Sequence, residues 1–432
     1  MFSPSALCAH ALGIFPLNQA GNGPGVFTRA EDYLVNTLTS SARPGEAWDI
    51  WATGLGPVQG DEAAQPLPGP LGYNVEVWVG EQRAQVIYAG RSGCCAGIDQ
   101  IRFIVPEGVS GCYVPVRVLV EGVPSNSVTI SIDRESSACS EPGLLTRQQL
   151  QEVQQGGRLR VGAITLARSE TAVTVPGFGQ FVLKTDIGSA TFLQYTYDQL
   201  IRSGSLVQYA ESGGCYVYTF RTTRNEPPSL GELDPIRPTL LDAGPVINVR
   251  GPVGNKQLQP QGGQRGIYSA ELGGGGTPPF GGGLPDYLEP GEYRVDNGGG
   301  GADVGPFQVT ATLGPWIQWT NQDQLSQIPL TQPLHVTWTG GTAQDWVMIT
   351  GSSSNGDAGA AFICGVPASR GSYTVPTSVL AALPPSGSIG GSPQGSLGVI
   401  TVRPPISFTA AGLDQAWLTF SRAQMKSVSY TR

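Results

Sequence analysis

Between residues 44 and 133 apolar and polar residues alternate with a period of two, in short runs broken by turn residues. The runs are "EAWDIWATG" (46–54), "YNVEVWVG" (73–80), "AQVIYAG" (84–90), "DQIRFIVPEG" (99–108), "YVPVRVLVEG" (113–122) and "NSVTISID" (126–133). Successive side chains of a strand point to opposite faces. Val75, Val77 and Val79 therefore share one face, as do Ile101, Phe103 and Val105, and Val116, Val118 and Val120. Short strands of this kind, separated by Gly, Pro and Asn turns, read as an antiparallel β-sandwich. The Pro-rich stretch 54–72 replaces one hairpin with a long crossover.

The rest of the chain keeps this character. With 61 glycines and 35 prolines in 432 residues, long helices are disfavoured and turns are abundant. The best helix lies within "EPGLLTRQQLQEVQQG" (141–156), where Thr146 can cap and Gly156 can stop it. One helical turn is expected in "TFLQYTYDQLIRSGS" (191–205) and another short helix in "TSVLAALP" (377–384). Runs such as "GCYVYTFRT", "GIYSAEL", "GEYRVDNG" and "FQVTATL" make a second β unit over 157–313. "LHVTWTGG", "DWVMITG", "GVITVRPP" and "QAWLTFS" make a third, sandwich-like unit over 314–432, and 134–156 is a linker helix segment. The expected architecture is all-β: tandem antiparallel β-sandwich (Ig-like) domains with short linker helices.

The seven cysteines bear on the compartment. They are Cys8, Cys94, Cys95, Cys112, Cys139, Cys215 and Cys364. No C-x-x-C pair is present, and the histidines are His10 and His335, so zinc-ligand spacing and a thioredoxin-type motif are both missing. Adjacent cysteines rarely bond each other, because the eight-membered ring strains the peptide. Cys94 and Cys95 are therefore expected in two disulfides, one to Cys112 and the other to Cys139, with the assignment open. Cys215 and Cys364 are candidates for a third, inter-domain bridge, which leaves Cys8 odd. Disulfides imply an oxidising compartment.

Within 44–132, "PGEAWDIWATGLGPV", "PLPGPLGYNVEVWVGEQRAQVIYAG", "GIDQIRFIVPEGV" and "VPVRVLVEGVPSNSVTISI" resemble the Solibacter-type immunoglobulin-like domain, related in style to IPT/TIG sandwiches. The specific parts are Thr53–Pro57 and the "VPSNSVTI" close, Val123–Ile130. Cys94, Cys95, Cys112 and Cys139 resemble those of a cysteine-bearing branch. That family occurs in large exported acidobacterial proteins. The resemblance implies a bacterial secreted or cell-surface location and an Ig-like fold, with no activity attached. It also implies that 1–43 is the lead-in remnant of a preceding module, so that the export signal, which MFSPSALCAHALGIF does not supply, belongs to a longer protein.

Composition narrows the functions. The net charge is −8 with no Lys/Arg cluster, which excludes phosphate-backbone binding and so nucleic acid. No apolar run approaches the ~18 residues of a membrane span. His335 lies on an alternating strand and reads as a surface or packed residue, not a catalytic base. No G-x-S-x-G elbow, P-loop or dinucleotide fingerprint occurs. The densest acidic group is Asp286, Glu289, Glu292, Asp296 and Asp303, in a glycine-rich stretch that suits either a calcium loop or a solvated hairpin. Trp48 and Trp51, like Trp316 and Trp319, are three apart on strands, so one of each pair can face outward and stack on sugar rings.

The expectation is a non-catalytic extracellular or cell-surface interaction and spacer protein, with a protein or polysaccharide partner and no cofactor. The alternatives are a carbohydrate-binding module or, behind it, a carboxylate-dependent glycan hydrolase.

Overall fold

The computed structural model describes residues 10–62, 69–141, 145–175, 179–203, 214–221, 237–276, 283–356, 358–389 and 392–432. It is an all-β protein, with strands at the positions the period-two runs mark. Ala47–Thr53, Val75–Val79, Gln82–Arg91, Asp99–Ile104, Gly111–Val120 and Val128–Ile132 build the first sandwich. Strand Gln82–Arg91 changes sheets along its length. Its first residues pair with Val77–Val79, and from Gln85 onward it pairs with Asp99–Ile104. A bulge between Val86 and Tyr88 supplies the bend, as bulges do where a strand passes from one layer to another. The alternating valines meet between the layers: Val77, Val79, Ile101, Phe103, Val116, Val118 and Val120 are all buried.

Residues from 10 to 43 belong to this sandwich and are not a detached lead-in. Gly13–Ile14 and Phe27–Arg29 both pair with Ala47–Thr53, and Phe27 is fully buried in the core. Asn36 ties the segment to Ser131 in both directions, through its amide and its carbonyl oxygen. Asn126 in turn holds Ile14 by both backbone groups.

The linker helix forms over Arg147–Gln154, shorter than the stretch that suggested it. Thr146 caps it in a reciprocal box with Gln149, and Gly156 follows the end with φ +99°. Leu150 and Val153 bury its thin apolar side beside Leu159, Leu200 and Trp417. Helices Tyr197–Arg202 and Thr377–Leu380 appear in the expected stretches.

The units divided at 313/314 share hydrogen-bonded strands. Leu159–Val175 and Gly179–Tyr195 form a hairpin of 17-residue strands. On its far side, Leu159–Val175 pairs in parallel with the C-terminal strand Gln415–Thr431, from Val161↔Gln415 to Ala172↔Lys426. That strand also pairs with Gly395–Val402 of the third unit. Strand Gly214–Arg221, expected in the second unit, instead joins Ala358–Pro367 in the third. One ladder therefore runs through both units, and its parallel pairs, which include Gln327–Pro329 with the end of Gln415–Thr431, depart from a purely antiparallel pattern.

Burial alternation along Gln415–Thr431 explains how one strand serves two cores. At ~3.4 Å per residue it spans roughly 55 Å, far more than one sandwich needs. On a single face, Leu418 and Phe420 enter the core of the second unit, and Val428 and Tyr430 enter that of the third. Between them the same face carries Arg422, Gln424 and Lys426, all buried. Arg422 pairs with Glu170 and donates to the Ile317 carbonyl; Gln424 accepts from Trp319 N–H; Lys426 donates to the Gln322 carbonyl. The polar seam thus holds the connecting segment 317–322 across the shared strands.

Candidate functional site

The cysteine pairing differs from expectation. Cys112 bonds Cys139, and Cys94 and Cys95 are free and exposed. Cys112 and Cys139 are both buried in the cluster that receives the linker helix, whereas the adjacent pair sits on a surface loop between two strands. Two bridges from Cys94 and Cys95 to those partners are thereby ruled out. Cys215 and Cys364 are bonded as expected, but the bridge joins directly paired positions of neighbouring strands within one sheet, not two domains. Cys8 lies outside the described residues.

The Cys94–Cys95 loop is held from below. Ser92 N–H donates to the Ile98 carbonyl and Ile98 N–H to the Cys95 carbonyl, with Gly93 (φ +71°) and Gly97 (φ +73°) in left-handed conformations that favour glycine. Gly97 N–H donates to Glu62 (3.0 Å), and Thr53 Oγ1 donates to the Gly97 carbonyl (2.8 Å). Glu62 is paired with Arg91 (2.6 Å), which also pairs with the buried Asp99 and donates to the Gly56 carbonyl. Burial pushes the Asp99 carboxyl above its usual range, against the opposing pull of Leu55 N–H and Arg91. At the tip the two sulfurs lie 2.7 Å apart, and Ser92 Oγ lies 3.3 Å from Cys94 Sγ. Sequence reading found the cysteines but missed this support, because Arg91, Glu62 and Asp99 converge from separate strands and loops.

The acidic stretch does not converge on one point. Asp286 and Glu289 gather with buried Asp186 around Arg168, and Lys184 reaches Asp286 at 3.0 Å. The positive charge among Asp186, Asp286 and Glu289 is the Arg168 guanidinium. Burial opposes ionisation of Asp186, but hydrogen bonds from Arg168 and from Leu288 and Tyr287 N–H outweigh it and hold its carboxyl below the usual range. Asp296 pairs with Arg250 and accepts from Asn248. Asp303 accepts from Asp242 N–H and faces Arg160. Glu292 is exposed on strand Gly291–Asp296. Among the described residues, no group of three or more His, Cys, Asp or Glu is placed to hold a metal ion.

The tryptophans do not form an exposed strip. Trp48 and Trp319 are buried, and Trp51 and Trp316 are half-buried. Trp51 Nε1 donates to Thr28, and Arg403 lies over the Trp316 ring at 5.9 Å. The three-residue spacing does place the members of each pair differently, and the outward member is half-buried. His335 is exposed on its strand, with Nδ1 3.0 Å from Thr374 Oγ1.

The first sandwich and the third unit touch through polar contacts that no local pattern announces. Tyr216 donates to the Tyr113 carbonyl at 2.6 Å, Val217 N–H donates to Ser127, and Glu81 pairs with Arg370. Arg117 is buried there over the Trp78 ring at 5.4 Å, and burial pulls its pKa down.

No family model matches the chain, and no curated protein matches it. Among solved structures it is similar to an I-band fragment of titin, I67–I69, at 6% identity, covering 91% of this chain and 96% of that one with a TM-score of 0.12. It is also similar to the BSP domain of a biofilm associated protein, at 9% identity, covering 97% and 84% with a TM-score of 0.15. At these scores neither fold nor function is taken from them, and the β-sandwich assignment rests on the strand pairing itself. No described helix is long and apolar enough to cross a membrane.

Proposed function

We propose that this is a non-catalytic interaction and spacer protein of the cell exterior, secreted or surface-held, whose β units present loops to a protein partner. The observation that carries the reading is the pair of buried disulfides, Cys112–Cys139 beside the linker helix and Cys215–Cys364 within the shared ladder. Such bonds persist in oxidising compartments. The clustered carboxylates support the non-catalytic part, since Arg168 and Arg91 take them up in ion pairs. A protein partner is preferred to a polysaccharide because Trp48 and Trp319 are spent on cores.

Thiol trapping without reduction, on fractionated native cells, tests the location. Cys112–Cys139 and Cys215–Cys364 are expected as cross-linked peptides in the exterior fraction. Recovery of the protein from the cytosol with all four as alkylated thiols would sink the proposal. A pull-down on plant, fungal and bacterial glycans tests the partner class, and no retention is expected. Retention that Trp51→Ala and Trp316→Ala abolish would return the carbohydrate-binding reading.

A further inference from the structure

We propose that Cys94 and Cys95 form a reversible vicinal disulfide, making their loop a redox-modified site that exchanges with small disulfides. Three observations carry it. The two sulfurs are already 2.7 Å apart, against about 2.05 Å in a disulfide. Both thiols are exposed, so an oxidant reaches them without unfolding. The loop carrying them is braced at Ser92, Ile98 and Gly97, so the two thiols are held together and do not diverge into solvent. The other two bonded pairs are buried, which separates a protected structural class from an accessible one.

The pair is asymmetric. Contact with the Cys95 sulfur and then with the Ser92 hydroxyl draws the Cys94 thiol below its ordinary value, while the same contact raises Cys95. Cys94 is thus the attacking sulfur. Its thiolate attacks one sulfur of a glutathione-type disulfide, forming a mixed disulfide and releasing one thiolate. Cys95, after losing its proton to solvent, attacks the Cys94 sulfur and expels the second thiolate. Two protein thiols lose two electrons and two protons, and the small disulfide takes up the electrons to become two thiols. Adjacent Cα atoms are about 3.8 Å apart across a trans peptide. The eight-membered ring strains the peptide between them, and the exposed bond is open to attack by small thiols, whereas Cys215–Cys364 is closed off by burial. The modification is reversible under conditions that leave structural bonds intact.

The test equilibrates the full chain with glutathione buffers of graded ratio, quenches with acid, alkylates and maps peptides by mass spectrometry, which keeps Cys8 separate. In oxidising buffer the peptide holding Cys94 and Cys95 is expected to lack two hydrogens and resist alkylation. It should regain two alkyl groups at a ratio where Cys112–Cys139 and Cys215–Cys364 are still closed. Cys95→Ser, on an exposed loop, should trap Cys94 as a glutathione adduct. The proposal fails if both thiols alkylate in every buffer that closes the other two pairs. It also fails if Cys94 or Cys95 is found cross-linked to another cysteine, or if Cys95→Ser gives no adduct.

Discussion

The first sandwich and the ladder that follows it solve the same packing problem in opposite ways. Residues 10–133 bury their valines with strands of at most ten residues, joined mostly by local turns around one core. Residues 157–432 use three 17-residue strands, and one of them, Gln415–Thr431, is shared between two cores. Strands that outlast a core must do something with the residues in between. Here they bury ion pairs and hydrogen bonds between two cores, Arg168–Asp186 and Arg422–Glu170 among them, whereas the first sandwich, which also buries Asp99 against Arg91, keeps one continuous hydrocarbon core. The first region should therefore be sensitive to lost volume, and the second to lost partners.

Disulfides give the largest expected difference. Cys112–Cys139 closes 27 residues and Cys215–Cys364 closes 149. Loop-closure entropy assigns about 3.5 kcal/mol to the shorter and about 5 kcal/mol to the longer. Replacing both cysteines of a pair by alanine should thus cost more in the ladder than beside the linker helix, as read by denaturant midpoints. Equal costs would mean that the unfolded ladder is already held together by something else.

Next come two point changes aimed at the two regions. Phe27→Ala should cost about 3–5 kcal/mol, because it empties a fully buried site in the first core. Hydrogen exchange should show the loss in strands Ala47–Thr53 and Asp99–Ile104 and little of it in Gln415–Thr431. Near-zero cost would mean that residues 10–43 are an ornament on the sandwich and not part of it. Glu170→Gln leaves the Arg422 guanidinium buried without its carboxylate and should cost about 3 kcal/mol, seen in the ladder and not in the first sandwich. If both changes spread over the whole chain, the contacts of Tyr216 with Tyr113 and of Arg370 with Glu81 bind the regions into one cooperative unit, and the two regions do not differ in what destabilises them.

How far the sequence revealed the structure follows the same divide. Strands of the first sandwich and the Thr146-capped helix are legible because they depend on residues close in sequence: period-two valines, turn residues, and a cap three positions from its partner. The parallel pairing of Val161–Ala172 with Gln415–Lys426 is not legible, since roughly 250 residues intervene and alternation looks the same in either strand direction. The glycine-rich acidic stretch reads as a cation site only because Arg168 and Asp186 are more than a hundred residues away in sequence. The cysteines show the limit most plainly. Adjacency does not say whether Cys94 and Cys95 pair with distant cysteines, and the surface position of their loop keeps them from Cys112 and Cys139, which bond each other.

Acid should separate the two regions with the smallest effect and the clearest sign. Asp186, in the ladder, is held below the usual carboxylate range, so the folded ladder binds its proton less readily than the unfolded chain does. Its contribution is present above the unfolded value near 4 and is lost as pH falls through the depressed folded value. Asp99, in the first sandwich, is shifted upward by burial. The folded sandwich takes up that proton more readily, so Asp99 favours the folded state at low pH, and this contribution fades as pH rises through its elevated value. Hydrogen exchange between pH 7 and pH 3, corrected for the intrinsic rate, should show the ladder strands around Arg168 opening first. Asp186→Asn should flatten that acid dependence, whereas Asp99→Asn should leave the ladder's response as it was. If the first sandwich opens first and Asp186→Asn changes nothing, the ion pairs of the ladder are not what distinguishes it from the sandwich.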